Sequence, residues 1–246
     1  MRCLTLSWQP NFVCDILFCS QFYDNLYVVE PNYPRDLETL AAYIKQPHFP
    51  LALRQFLYSL EHPNHEPPSA INDCPPFQGK LNVHHSATAV FYAPSDLCGA
   101  GGMKRERIRS TPSFHGHPRH DTVFVVLDDS QPGMKGMEIG RVLLFFSFHY
   151  RRKDYSCALI NWFVHTDTPD GDTGMWIVEL ECDRNGVPSV QVIAIDTIAR
   201  AAHLLPIYGS SRVPEDFIHH EALDRYQSFF VNCFVDHHAH EFVVVD

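Results

Sequence analysis

Basic side chains are scarce in this chain. It carries 19 Lys and Arg against 29 Asp and Glu, a formal net charge of −10 over 246 residues. Any contact with an anionic partner therefore has to be local, and it can be. The Debye length is about 8 Å at physiological salt, so distant carboxylates barely reach a basic patch. Long apolar runs are absent too. No stretch of about 18 apolar residues occurs, so no transmembrane helix is predicted. Residues 1–18 are broken by Gln9, Pro10, Asn11 and Asp15 and make a poor signal peptide. No pair of cysteines has two residues between them. The eight cysteines, at 3, 14, 19, 74, 98, 157, 182 and 233, read as reduced thiols of an intracellular protein, mostly buried as small hydrophobes. The nucleophile-elbow, Walker, dinucleotide-binding and HExxH motifs are all missing.

Proline and phenylalanine are plentiful, 18 of each, which points to many short elements joined by stiff turns. Asp36 to Lys45 and Leu51 to Leu60 read as helices, punctuated by Pro34 and Pro47. Glu61 to Pro76, with five prolines, reads as a linker and domain boundary. The expected organisation is 1–30 as a separate segment, 31–76 as helices plus linker, and 77–246 as a β-domain. Asn82 to Tyr92, Thr122 to Leu127, Gly140 to Tyr150, Tyr155 to Val164, Met175 to Leu180 and Ser189 to Ile195 have strand composition. Arg151 to Asp154 looks like a hairpin turn, and Asn185-Gly186 is a strong hairpin signal. Glu221 to Val235 has helical spacing of Leu223, Tyr226, Phe229, Phe230 and Phe234. The fold class is α+β: N-terminal helices, a small twisted antiparallel β-barrel, and an amphipathic helix at the C-terminal end.

One tract stands against the acidic background. Lys104, Arg105, Arg107 and Arg109 fall within six residues, just after a glycine-rich turn, Gly99 to Gly102. Glycine permits a tight turn, so the cations read as a loop presented to solvent. With Arg119 they form the expected nucleic-acid-binding set, extended by His115, His117 and His120. Five phosphate contacts would give a salt slope of about −4.5 on duplex DNA, sequence-blind in character. The competing reading is a solvated turn whose arginines pair with the acidic residues of 160–246.

Other clusters carry weaker chemistry. Asp167 to Gly174 holds three carboxylates but lacks the glutamate of a calcium loop, and reads as a polar connection. The end of the chain, Asp236-His-His-Ala-His-Glu241, puts His237 and Glu241 on one helical face, but more simply reads as a half-exposed helix end. Asp121, Asp196 and Glu221 would be the candidate two-metal triad, yet the strand–helix alternation such a site needs is missing. No catalytic residue, metal or cofactor is expected.

From about Tyr33 onward the chain resembles the C-terminal region of Plavaka-type fungal transposon proteins of the KDZ class. The resemblance is carried by Cys74 to Phe77, Phe91 to Leu97, Gly101 to Arg109, Arg141 to Phe148, Cys157 to Phe163, Asp172 to Trp176, Ile195 to Gly209 and Val231 to Glu241. It departs at Cys233, where the family has Lys, and at Phe114, where it has Trp; residues 1–30 fall outside it. The resemblance implies that the RNase H-like nuclease part lies upstream and is absent here. It implies a remnant or solo accessory segment, nuclear or cytoplasmic; with the basic tract, the expected partners are DNA or chromatin, or else a transposase or the chain itself. The strand pattern is also similar to small barrels of the bromo-adjacent-homology type, an analogy at the level of fold.

Overall fold

A computed structural model describes residue 26 and residues 28–96, 100–210 and 212–244. The opening segment, Cys98 and Gly99 therefore lie outside the described residues, as does the side chain of His219. The fold is α+β, a nearly closed antiparallel barrel with helices packed on it. The helices are α1 (Leu37–Tyr43), α2 (Phe49–Glu61), α3 (Ala222–Arg225) and α4 (His237–Val243). The first six strands are β1 (Leu81–His84), β2 (Ser86–Tyr92), β3 (Met103–Phe114), β4 (His117–His120), β5 (Thr122–Val126) and β6 (Met137–Tyr150). The rest are β7 (Lys153–His165), β8 (Ile177–Leu180), β9 (Val190–Ala194), β10 (Ile198–Ala202), β11 (Leu204–Pro206) and β12 (Ser228–Val231).

The large sheet runs β10-β5-β6-β7-β8-β12-β11, with β1 also on β6 and β9 also on β7. Its centre is the long β6–β7 hairpin, turned by Arg151 and Arg152, both at positive φ. This is the primed geometry that matches strand twist. Both faces of the hairpin are covered. Leu144, Phe146, Phe148, Cys157 and Leu159 pack against α1 and α2, where the Phe49 ring meets Phe146 edge-on at 5.1 Å. Phe145, Ala158, Ile160 and Trp162 face the other way, towards Ala87, Ala89, Phe91 and Ile108. A strand buried on both sides shows a continuous apolar run in place of alternation. That is why Cys157 to Phe163 is buried throughout and interrupted only by Asn161, whose amide donates to the Ser189 carbonyl at 2.9 Å.

The Pro-rich stretch after α2 is strapped to that same packing. Arg54 donates to the Cys74 and Pro75 carbonyls at 2.9 and 3.0 Å, and Cys74 is buried. The helices and the sheet share one apolar cluster, so this segment crosses a continuous core. Three of the four described cysteines, Cys74, Cys157 and Cys233, are buried free thiols; Cys182 is exposed.

Two elements differ from expectation. Glu221 to Val235 is not one helix: α3 is a single turn, and Ser228–Val231 pairs with both β8 and β11. Burying Phe229 and Val231 in the barrel end outweighs the helical spacing. The C-terminal helix lies further on, as α4. The Asn185-Gly186 turn forms as expected, with Asp183 Oδ1 accepting from the Asn185 and Val187 N–H groups. It closes a short excursion, however, because β8 and β9 both pair with β7.

Candidate nucleic-acid interface

The strands β2, β3 and β4 form a separate three-stranded sheet. Its inner face closes the barrel core through Ala87, Ala89, Phe91 and Ile108. The basic tract is therefore not a loop but the first half of β3, and strand geometry divides it. Successive side chains point to opposite faces. Lys104, Glu106 and Ile108 point inward; Arg105, Arg107 and Arg109 point outward, Arg105 and Arg107 exposed and Arg109 half-buried. Across β2 their partners are the uncharged Val90, Thr88 and Ser86. The three strands contribute no carboxylate of their own to the outer face, because Glu106 is their only acid and it faces in; Asp121, the residue after β4, lies beside Arg119.

Arg119 reaches the same face from β4, opposite Thr111. The guanidinium carbons of Arg109 and Arg119 each lie 4.8 Å from the centroid of the Phe114 ring. Asp121 fixes both arginines. It accepts from Arg119 Nε at 2.7 Å and from the Arg109 backbone N–H at 2.8 Å. Burial first, and then the neighbouring Arg119, pulls the Arg109 pKa down, with Asp121 opposing. Arginine stays charged under such a shift, so like charges are held close together. At the other end of the face, Tyr92 is 41% exposed. Its ring lies over Gly102, whose φ is +76° and where a Cβ would stand 2.9 Å from the ring. Glycine is needed there both for the backbone angle and for the room.

Lys104 is the member of the expected binding set that the structure removes. Its Nζ donates to Asp96 at 2.7 Å and to Asp236 at 2.8 Å, on the inner side of β3. Burial would lower its pKa, but these two bonds raise it. Asp236 also takes a two-pronged contact from the buried Arg200, at 2.9 and 2.7 Å. Arg200 Nη1 further donates to His238 Nδ1 at 2.9 Å, and its guanidinium lies 4.9 Å from the Phe91 ring. Burial pushes Asp236 up, but the hydrogen bonds from Arg200, Lys104 and the Ala239 N–H hold it well below the usual carboxylate range. Glu106 accepts the Ala201 N–H at 2.9 Å, satisfying a donor on β10, which ends the large sheet. Burial raises the Glu106 pKa against the pull of Arg200.

Sequence reasoning missed Arg200. It joins Gly101–Arg109, Ile195–Gly209 and Val231–Glu241, three separate stretches, in one ionic cluster. A lone Arg in the small-residue run Ile-Ala-Arg-Ala-Ala was the available signal.

The remaining candidates are dispersed. His115 and Gly116, both at positive φ, form the turn between β3 and β4. The His117 ring stacks on His220, with centroids 3.9 Å apart. His120 is held by the Val142 carbonyl, and burial lowers its pKa. His238 stacks between Phe91 and Phe242, and His240 on Phe234, so these rings of the C-terminal cluster serve packing. Glu241 accepts from Ser95 at 2.9 Å. Asp170 bonds Thr173 within its polar connection. Asp121 and Glu221 pair with Arg119 and Arg225, while Asp196 sits in a separate 3₁₀ turn. Among the described residues no group of three or more His, Cys, Asp or Glu is placed to hold a metal. No helix among them is long and apolar enough to cross a membrane.

Comparisons with known protein families, with characterised proteins and with solved structures returned no match.

Proposed function

We propose that this chain is a non-catalytic, transposon-derived accessory domain that binds nucleic acid, free or in chromatin, through the outer face of the β2–β3–β4 sheet. Arg105, Arg107, Arg109 and Arg119 make the contacts. One observation carries the reading. The two-residue period of β3 collects Arg105, Arg107 and Arg109 on its outer face and turns the strand's single glutamate inward, with Arg119 joining them while paired to Asp121. The arginines of β3 can act locally because acidic regions beyond about 8 Å are screened, whereas Arg119 already shares its charge with Asp121 at 2.7 Å. The affinity they support is modest and independent of sequence, since phosphate contacts carry no base information.

The test is binding of the purified chain to random duplex DNA by fluorescence anisotropy at a series of salt concentrations. Four phosphate contacts give a slope of about −3.6 in log K against log salt. Changing the four arginines to Ala should abolish binding, with some loss of thermal midpoint because Asp121 and Phe114 lose Arg119 and Arg109; the exposed Arg105→Ala alone should weaken binding while the midpoint is kept. Absent binding, or binding indifferent to these changes, removes the proposal. Lys104→Ala, by contrast, should reduce stability first, because it leaves Asp96 and Asp236 without their shared cation.

A second reading, a protein-interaction module, is favoured by a different surface. Tyr208, Phe217 and Tyr226 pack edge-on near the barrel-end strand β11, where Leu205 and Ile218 are exposed. A shallow groove of about 260 Å³ opens between Tyr208, Val213, Pro214 and Tyr226. Self-association in sedimentation experiments, lost on Tyr208→Ala, would support this reading.

A further inference from the structure

We infer that the ligand of the arginine face is single-stranded nucleic acid in preference to duplex; this rests on the reading that the face binds nucleic acid at all. A duplex keeps the flat faces of its bases stacked inside and offers a protein only phosphates and groove edges. An element that reads a groove must protrude into it. Here the cations lie on the flat of a three-stranded sheet.

The sheet also carries what a duplex has no use for. Tyr92 stands at one end of the arginine line, opposite Met103 and 41% exposed. Phe114 stands at the other end, beside Arg109 and Arg119. Aromatic rings on a sheet surface are plates for unpaired bases, and every base has a face to stack. The Arg109 and Arg119 guanidinium groups already lie by the Phe114 ring, so planar cations and rings are assembled there as stacking surfaces.

Spacing fits the same ligand. Arg105, Arg107 and Arg109 recur every second residue of one strand, about 6.8 Å apart. A straight row of cations can follow the backbone of one extended strand. The phosphates of a duplex wind away from it. The half-buried Val90 and Ser86 beside Arg105 and Arg109 are uncharged and present no repulsion to a ligand backbone, while Thr88 beside Arg107 is itself buried.

The experiment compares labelled oligodeoxythymidine and oligouridylate, which form little internal pairing, with a mixed-sequence duplex of the same length, using the full chain. Either single strand should bind about tenfold or more tighter than the duplex. Tyr92→Ala should weaken single-strand binding about tenfold, the loss of one stacked base, and leave duplex binding unchanged. Phe114 is half-buried, so Phe114→Leu is used there, with the thermal midpoint as the control for folding; it should act in the same direction. Arg105→Ala should weaken both ligands. Duplex binding as tight as single-strand binding, or indifference to both aromatic changes, overturns this inference while the nucleic-acid reading stands. Failure to bind any of the three ligands overturns both.

Discussion

Asp236 is the residue on which the interior chemistry turns. It caps α4 by accepting the Ala239 N–H at 2.6 Å, and it also holds Arg200 and Lys104. Asn would keep the cap but not the charge, since Asn and Asp cap helices about equally well. Asp236→Asn is therefore expected to cost about 2–3 kcal/mol at neutral pH in urea denaturation, the range for charge-assisted bonds around a buried cation. The pH dependence follows from the direction of each shift. The folded pKa of Asp236 lies below its unfolded value of about 3.9. Its contribution is complete above that value and fades as the pH falls towards the folded one. The deficit of Asp236→Asn should accordingly shrink below about pH 4.

His238 acts in the same direction at higher pH. Burial first, then Arg200, lowers its pKa, while Asp236, Asp96 and Glu241 oppose. The unfolded chain takes up a proton below about pH 6.5 that the folded one refuses, so stability declines from there downward. Glu106, raised by burial, binds its proton more readily when folded and offsets part of the acid loss. Stability measured from pH 8 to pH 3 should fall in two stages, and a flat profile would contradict these environments.

At the scale of elements, what could be read from the chain was what local chemistry decides. Asp36 starts α1 because its carboxylate accepts the Thr39 N–H, and Pro50 opens α2 where no helical donor is lost. The β6–β7 hairpin was legible from its apolar runs and the polar turn between them. What escaped was decided by partners far along the chain. The segment Ile198–Ala202 is short and rich in alanine, and becomes a strand only by pairing with β5. Phe229 and Phe230 have helical neighbours in sequence but strand neighbours in space, Val178 and Ile177. The basic tract was visible as composition. Its split into two faces needed the knowledge that it is a strand, which its charge concealed. Gly102 ties that strand to its turn. Gly102→Ala should cost about 1–2 kcal/mol from the left-handed angle alone, and more if the Tyr92 ring cannot shift. A thermal midpoint unchanged by this substitution would mean that the turn relaxes freely.

The whole molecule is held shut from its C-terminal end. Phe242 and Val243 of α4 fill the end of the barrel against Phe124 and Met134, while Asp236 and His238 reach Arg200. Ending the chain at Val235 removes both, and leaves the buried Arg200 with only the longer contact to Glu106, at 3.9 Å. Breaking such a pairing costs about 3–5 kcal/mol, and burial of two large apolar side chains contributes about 1.5–3 kcal/mol each. Together these approach the roughly 5–15 kcal/mol by which a domain is stable. The shortened chain should lose its cooperative thermal transition and bind a hydrophobic dye. A sharp transition in that chain would show that the barrel closes without its plug.

The alternation along β3 also bears on how such a surface can change over generations. Replacing one arginine alters a single contact and leaves its neighbours where they were. Adding or deleting one residue between Met103 and Ile108 would exchange the two sides of the strand. Guanidinium groups would then be driven into the apolar interior, and the glutamate would be carried out among them. Drift at this stretch is thus tolerated letter by letter but forbidden in length.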